Sequence, residues 1–429
     1  MDPIGAQLTA IVIFLFTFAL ILTGGRARSV AGLLGGFLML TAGIFTSIEE
    51  VVSYISIETI VVLFGIMVLV GALREGQFFD YIGAVVLNRV GPNPTRLFYV
   101  FILLTAVLSA FLDSVAVVLF MLAVTIQLSD VLKFDPKPLM IAEILAANIA
   151  GTATTIGDPP NIMISLNYGI NFSEFIINMA PLAILSLVAL LLFLRWRYGK
   201  QLRTTKVNKR VPVTRPSDLI TDRKTFLLGS SMFITFLILL IFSNELGLSP
   251  AEISLGAAAT LLFLGGKKLT FILEHVEWST LLFFGSIFIV VGGLRKSGVI
   301  ASLSTSLASI IGNNMLLAII IVVWLSALGS AFVGNIPFAV TMLPLVQGIA
   351  TATSLPVLPL LWSLVLGCDI GGSATIIGTA AGVVASDMAE QKGHRIGHKE
   401  YLKDGLSTVL LVVGLGTIFL IVRYGLFTG

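Results

Sequence analysis

The chain has 429 residues, of which 57% are hydrophobic and only 11% are charged. Soluble proteins are nearer one-quarter charged, so this composition excludes a soluble enzyme and a disordered protein. The net charge of +3 provides no basic field for nucleic acid. A single cysteine permits no internal disulfide, and no Cys/His cluster suggests zinc, so we expect neither a metal nor another cofactor. The sequence therefore predicts an all-α polytopic membrane protein.

Apolar runs of about 20 residues are long enough to cross a bilayer as helices. Two further stretches, 96–131 and 313–350, are interrupted near their middles by polar or small residues and predict helical hairpins. The runs at 138–170 and 356–390 are also interrupted and predict broken helices. The predicted crossings, in chain order, are 6–23, 29–46, 57–74, 138–170, 176–194, 226–243, 250–266, 277–294, 356–390 and 404–425.

Lys and Arg residues in short loops predict the orientation in the membrane. The segment 195–224 contains ten of them and is expected in the cytoplasm. Both termini and the pair Glu49–Glu50 then lie outside, in a multi-pass protein of a prokaryotic-type cytoplasmic membrane. Arg295 and Lys296 are an exception, because they also fall outside. Tyr198, at the end of a crossing, is predicted to be an interfacial anchor.

Two blocks of sequence recur at a shift of 221 residues. SAFLDSVAVVLFML (109–122) aligns with SAFVGNIPFAVTML (330–343). NIAGTATTIG (148–157) aligns with DIGGSATIIG (369–378), and six of these ten positions are identical. A common shift for two separate blocks predicts an internal repeat.

Each half holds five crossings, one of them broken, plus one hairpin. An odd number of crossings turns the second half upside down relative to the first, which is the inverted-topology arrangement of many secondary transporters. We expect a first repeat at 1–200, a basic cytoplasmic linker at 201–225 and a second repeat at 226–429.

The hairpin tips and helix breaks carry most of the polar side chains within the apolar regions. Irregular backbone persists at membrane depth only where protein or water satisfies its polar groups, and transporters place such breaks at the substrate site. The predicted substrate- or ion-binding residues are Ser109, Asp113, Ser114, Asn148, Gly151, Thr152, Thr154, Asp158, Asn161, Ser330, Asn335, Asp369, Gly372, Ser373 and Thr375.

Four acidic residues are predicted to couple transport to protons: Asp113, Asp158, Asp369 and Glu143. The alternative for the three Asp residues is capping of helix starts. The alternative for Glu143 is snorkelling or pairing with Lys137. Neither break contains Lys, Arg or His, so the site suits a cation, a proton or a neutral hydroxylated solute better than a multiply charged anion.

The string NIAGTATTIGDPPNIMI (148–164), the tips SAFLDS (109–114) and AFVGNIPF (331–338), and the second break GGSATIIGTAAGVV (371–384) resemble one known branch of transporters. This is the ion transporter superfamily's branch of arsenite permeases and pink-eyed-dilution P proteins. The resemblance covers essentially the whole chain. It implies two re-entrant hairpins and two broken helices around a midplane site, with elevator-like alternating access.

The chain departs from this branch at its hairpin tips. In the sodium/proton antiporters and P proteins that the chain resembles, the motif at both tips is Asp-Asn. This chain instead has Asp113–Ser114 and Gly334–Asn335. Loss of one carboxylate weakens a tight sodium site. The sequence thus favours proton-coupled export of arsenite or antimonite, with a sodium/proton antiporter, a silicate carrier and a dicarboxylate carrier as alternatives.

The expected partners are a small inorganic solute, a coupling ion (proton or sodium) and the lipid bilayer, with no nucleic acid. A second copy of the chain and an export ATPase, as in arsenite systems, are further partner hypotheses. No Ser/His or metal constellation lies within the crossings, so we expect no enzyme and no catalytic residue. Cys368, beside the second break, is interpreted either as a contact for a thiophilic solute or as a small apolar filler.

Overall fold

The computed structural model describes residues 2–22, 28–91, 93–204, 215–266 and 269–425. Its regular secondary structure is helical, with no strand in these ranges, which confirms the predicted all-α class. Within the same ranges, ten helices are long and apolar enough to cross a membrane.

The first half of the described chain forms ten α-helices. They are α1 (Pro3–Leu22), α2 (Arg28–Thr41), α3 (Ile48–Ser53), α4 (Ile57–Glu75), α5 (Phe78–Val90), α6 (Pro94–Ser109), α7 (Ser114–Leu132), α8 (Lys137–Gly151), α9 (Pro159–Tyr168) and α10 (Phe172–Thr204).

The second half adds eleven α-helices, two 3-10 helices (Pro216–Leu219 and Gly372–Ala374) and a final π-helical turn (Ile421–Gly425). The α-helices are α11 (Arg223–Ile241), α12 (Ser243–Leu246), α13 (Pro250–Gly265), α14 (Leu269–Glu274), α15 (Trp278–Lys296), α16 (Val299–Ile311), α17 (Met315–Val333), α18 (Asn335–Thr353), α19 (Val357–Gly371), α20 (Ala380–Gln391) and α21 (His398–Leu420).

Both predicted hairpin regions are pairs of helices, α6–α7 and α17–α18, and both predicted broken helices are interrupted, between α8 and α9 and between α19 and α20. Two predicted crossings form helices that are shorter than the hydrocarbon core is thick. Helix α2 has 14 residues and α13 has 16, about 21 and 24 Å at 1.5 Å per residue, against a hydrocarbon core of about 30 Å. The apolar run of α2 continues, but Gly43, at φ 72°, turns the chain just after the helix.

The sequence did not predict α5 and α16, each of 13 residues, because a search for 20-residue apolar runs misses a short helix that is apolar on one face. The predicted linker also begins later than expected, since α10 continues to Thr204. Arg195 and Arg197 therefore lie on a helix rather than in a loop. Most of the remaining linker, 205–214, lies outside the described residues.

The shift of 221 residues found in the sequence also relates the helix bounds. Shifting 57–75 gives 278–296, the bounds of α15. The bounds of four pairs of helices coincide in this way: α3 with α14, α4 with α15, α5 with α16 and α7 with α18. The repeat therefore extends to local backbone structure over segments that share little sequence.

Residues with positive φ follow the same shift. Lys133 (φ 59°) ends α7 and Ser354 (φ 57°) ends α18, although a left-handed conformation is unfavourable for both side chains. The matched residues are Gln77 with Gly298, Gly91 with Gly312 and Lys133 with Ser354. Helices of the two halves thus end in the same way.

The chain forms two compact units. Unit 1 comprises Met1–Ile60, Glu277–Gly372 and Val413–Gly429, and unit 2 comprises Val61–Val276 and Ser373–Val412. Each unit contains segments from both halves, so neither coincides with one repeat.

Small residues allow close helix packing inside each unit. In unit 1, a Cβ on Gly371 of α19 would lie 2.3 Å from the Cα of Ala327 on α17. In unit 2, a Cβ on Gly65 of α4 would lie 2.7 Å from the backbone of Ser254 on α13. Such contacts at backbone distance are the usual means of helix association in membranes, where apolar burial adds little.

Candidate functional site

The first break, in unit 2, separates α8 from α9 and depends on proline and glycine. Pro159 and Pro160 lack backbone donors, so they suit the first turn of α9 and could not continue α8. A Cβ on Gly157 would lie 2.5 Å from the carbonyl oxygen of Gly151. Only glycine therefore lets the chain fold back against the end of α8.

Asn161 holds this break together. Its Nδ2 donates to the carbonyl oxygens of Gly151 (3.0 Å) and Thr154 (3.2 Å), and its side chain is fully buried. These bonds satisfy acceptors that the end of a helix leaves open. Its Oδ1 is buried and has no hydrogen-bond partner within the described ranges.

The first hairpin tip is bonded to the first break, also inside unit 2. Ser109 Oγ donates to the carbonyl oxygen of Ala147 at 2.9 Å. Thr154 donates to the carbonyl oxygen of Ala110 in a short hydrogen bond. Two predicted groups, the tip and the break, are therefore in direct contact.

A second cluster in unit 2 joins side chains that are far apart in sequence. Asn148 Nδ2 donates to Ser373 Oγ at 2.9 Å and to Thr379 Oγ1 at 3.3 Å, and all three side chains are buried. Thr379 also accepts from the amide of Gly382 and so caps α20. Asn148 Oδ1 has no hydrogen-bond partner among the residues described. This Asn148 cluster thus presents an open acceptor.

The structure separates the roles of Asp113 and Asp158. Asp113 caps α7, because its carboxylate accepts from the amide of Ala116 at 3.0 Å. Asp158 occupies the N-cap position of α9, but its side chain makes no capping hydrogen bond. It is 2% exposed. A capping hydrogen bond is therefore present for Asp113 and not for Asp158.

Glu143, on α8 of unit 2, is fully buried rather than snorkelling. Its Oε1 accepts from Thr125 Oγ1 at 2.8 Å, and its Oε2 has no hydrogen-bond partner in the described chain. Thr125, rather than Lys137, is thus the neighbour of this carboxyl.

Of the other unit 2 candidates, Thr152 donates to its own helix at Ile149. Ser114 begins α7, and Thr375 is half-buried after the second 3-10 helix.

Unit 1 holds the remaining predicted residues. Ser330 Oγ donates to the carbonyl oxygen of Cys368 at 2.5 Å, and Asn335 begins α18. Asp369 is fully buried in the last turn of α19, so its predicted alternative role as a cap of a helix start is wrong. Gly372 opens the 3-10 helix after α19. The thiol-bearing side chain of Cys368 is also buried.

Two buried polar residues of unit 2 were missed by the sequence. Thr379 could have been found, because the 221-residue shift places it on Asp158. Asp404 could not, since it lies at the polar start of a predicted crossing. It is fully buried and bonded to Arg197 and Tyr198. Tyr198 is therefore 6% exposed, and its prediction as an interfacial anchor is wrong.

Lys296, one of the two basic residues predicted on the outer side of the membrane, has an acidic partner within unit 1. Lys296 Nζ lies 2.5 Å from Glu50 Oε1 and 5.8 Å from the centre of the Phe45 ring. The bond from Lys296, followed by those from the backbone and side chain of Thr46, lowers the pKa of Glu50 to about 2. Lys296 is thus compensated locally by a carboxylate.

Comparison with known proteins identifies the kind of molecule. The chain is 31% identical to an uncharacterized transporter of Mycobacterium tuberculosis over 98% of its own length and all of the relative's. It is 30% identical to a 46 kDa membrane protein of Mycobacterium leprae, over 97% and 98% of the two chains. The model of the CitMHS citrate transporter family matches residues 18–367. The chain belongs to this family. It is a multi-pass membrane transporter.

The predicted similarity to P proteins is also confirmed. This CitMHS-family transporter is 30% identical to the P protein of Homo sapiens over 95% of its length, which covers 59% of that longer protein. The family match includes Asn148 and the first break but ends before Cys368, Asp369 and Ser373. The chemistry of the second break is therefore described by this chain's own residues.

Proposed function

We propose that this transporter exports a small inorganic solute of the arsenite or antimonite type in exchange for protons, by elevator-like alternating access. The observation that carries the proposal is the Asn148 cluster of unit 2, an uncharged, buried group with an open acceptor. Its neighbours along the chain are the first break and the carboxylate of Asp158.

The chemistry of the acceptors favours a neutral solute with hydroxyl donors. Asn148 Oδ1 and Asn161 Oδ1 are both buried amide oxygens without a donor in the described ranges. A buried acceptor left without a donor is costly, about 1–3 kcal/mol, so a solute that supplies O–H groups gains binding energy there. Arsenous acid is mostly neutral at pH 7 and consists largely of such hydroxyls.

The same chemistry disfavours citrate, although citrate is the substrate in the family's name. Residues 148–161 and 369–379 contain no Lys, Arg or His to compensate a multiply charged anion. They do contain Asp158 and Asp369, which would repel it in a medium of low dielectric constant.

Asp158 is the leading candidate for the proton-carrying group. It is buried beside the first break and its carboxyl does not cap its own helix, so we assign it to proton exchange rather than to capping. Glu143, whose Oε1 accepts from Thr125, is a second candidate, and Asp113 and Asp369 complete the set. Transport would follow if solute and proton occupy the site in turn, which couples their movements in opposite directions.

A sodium/proton antiporter is the second candidate function. Amide and carboxylate oxygens are the ligands that hard cations prefer, and Asn148, Asn161 and Asp158 supply both kinds. The lone carboxylate at the hairpin tips, Asp113, counts against tight sodium binding.

Transport by everted membrane vesicles tests these alternatives directly. With an imposed proton gradient, we expect arsenite accumulation that Asp158→Asn abolishes and that excess citrate does not inhibit. Sodium-driven proton movement without arsenite uptake would replace the proposal by the antiporter. Citrate uptake would replace it by the activity in the family's name.

We further propose the inverted arrangement of the two repeats and a cytoplasmic location for 195–224. Coinciding helix bounds at a shift of 221 residues support the repeat. A cysteine at Arg215, in a Cys368→Ala background, should resist an impermeant thiol reagent in intact cells and react after permeabilisation. Labelling in intact cells would reverse the orientation.

A further inference from the structure

An ion pair in which only the acidic partner is buried joins α10 to α21 inside unit 2. Asp404 is fully buried, and its Oδ1 accepts from Arg197 Nε at 2.8 Å. Its Oδ2 accepts from the hydroxyl of Tyr198 in a short hydrogen bond. Burying an ion pair costs desolvation energy that its attraction repays only in good geometry, so such pairs are a poor source of net stability. Their best-attested use is to define one arrangement of packed elements.

The residue after Asp404 contacts the second break. A Cβ on Gly405 would lie 2.6 Å from the carbonyl oxygen of Ser373 and 3.0 Å from that of Ala374. The backbone of α21 therefore rests directly on these two carbonyl groups. Any movement of α21 at Asp404 must displace Ser373 or open a gap beside it.

Ser373 in turn accepts from Asn148 at 2.9 Å. A continuous path of contacts thus runs from Arg197 through Asp404 and Gly405 to Ser373 and Asn148. Packed side chains and hydrogen bonds of this kind can transmit energetic coupling between groups.

We propose that Arg197, Tyr198 and Asp404 form a positioning site that sets solute affinity at the Asn148 cluster. The ion pair holds α21 against Ser373, and Ser373 then keeps its bond to Asn148. This inference rests on the proposed function, in which solute binds at the Asn148 cluster. None of the three residues needs to touch the solute.

Asp404→Asn is the primary test, because the amide has the same shape but removes the charge and one of the two acceptor oxygens. Arg197 is 31% exposed and can turn to water, so the variant should fold. We expect the KM for arsenite to rise about tenfold, with the maximal rate within about twofold of the original. Glu390→Gln is the matched control, since it removes a partner of Arg395 in an exposed pair at 3.7 Å and should change neither value.

Labelling of Cys368 provides a readout that needs no solute. It is the single cysteine of the chain, it is buried, and it precedes Ser373 by five residues. We expect maleimide to label Asp404→Asn several times faster than the original protein, well below the unfolding temperature. Arg197→Lys keeps the charge and should be labelled as slowly as the original protein. Arg197→Ala removes the charge and should be labelled faster.

The outcomes separate the two proposals. An unchanged KM and unchanged labelling in Asp404→Asn would overturn the positioning role. Faster labelling without arsenite transport by any variant would support the positioning role and reject the proposed function. If Asp404→Asn does not fold, Tyr198→Phe removes one hydroxyl only and should raise both the KM and the labelling rate about threefold. No change in Tyr198→Phe would then overturn the inference.

Discussion

The two helix breaks share a backbone design but differ in chemistry. Ser109 donates to the carbonyl oxygen of Ala147, and Ser330 donates to that of Cys368, at positions related by the same shift of 221 residues. Each bond ties a hairpin tip to the last turns of the helix before the break. The structural scaffold is therefore duplicated.

The polar side chains at the two breaks are not duplicated. Where the first half has Asn148 before its break, the second half has Asp369. Where the first half has Asp158 after its break, the second has Thr379, which caps its helix as Asp158 does not. The carboxylate thus follows the break in the first half (Asp158) and precedes it in the second half (Asp369). The two breaks thus lie at matching positions of the chain, while the polar side chains beside them differ.

The largest expected effect tests the two matched cap positions. Asp158→Asn should lower proton-coupled arsenite transport by about 100-fold or more, because the amide cannot carry a proton. Thr379→Ser keeps the hydroxyl and should transport normally. The measurement is initial uptake in everted vesicles at matched protein levels. Normal uptake by Asp158→Asn would remove the functional difference between the two positions.

The next effect concerns Asn148. Asn148→Ala removes both hydrogen bonds that link it to Ser373 and Thr379, a loss of about 1–3 kcal/mol, and should raise the KM about 5- to 150-fold. Asn167→Ala is the matched control, because that amide donates to Met163 on its own helix. An equal KM change in both variants would show that the Asn148 cluster has no special role.

A smaller effect tests the shared backbone design. Ser109→Ala and Ser330→Ala should each lower the free energy of unfolding by about 0.6–1 kcal/mol, since each removes one buried hydrogen bond between helices. The comparison predicts equal losses in a thermal-stability assay in detergent. A loss in only one variant would mean that the two hairpins are held by different contacts.

The smallest effect concerns Glu50 and Lys296, where the repeat again differs, because the position matched to Lys296 is Glu75. The pKa of Glu50 is lowered from 4.5 to about 2, so the folded state favours its ionised form. Its contribution to stability is then complete above about pH 4.5 and is lost as the pH falls toward about 2. Glu50→Gln should melt slightly below the original protein at pH 7 and converge with it under acidic conditions. A difference that does not change with pH would exclude the ionised pair as its cause.

Much of the fold could be predicted from apolar run length and from the repeat. The α6–α7 hairpin and the break between α8 and α9 were predicted because polar and proline residues interrupt long apolar runs. The helices α5 and α16 were missed, since each has only 13 residues and the search was for apolar runs of about 20. The length of α2 was overestimated because hydropathy does not register the turn at Gly43.

The candidate site was predicted only in part. Composition identified Asn148 and Ser373 as polar residues at breaks, but it could not pair them, because they lie 225 residues apart. Hydropathy also gave no reason to connect Asp404 with Arg197. Such contacts depend on how helices approach in three dimensions, and each helix face offers several partners of similar chemistry.

The sequence by itself determined the membrane class, the positions of the breaks and the scarcity of charge within them, because these depend on local composition and on the inability of proline to continue a helix. Tertiary structure decided which polar groups are satisfied. It made Asp113 a cap, left Asp158 without a capping bond and placed Ser373 against Asn148. The physical reason is that a buried polar group takes its role from the partner it reaches, and that partner is set by packing.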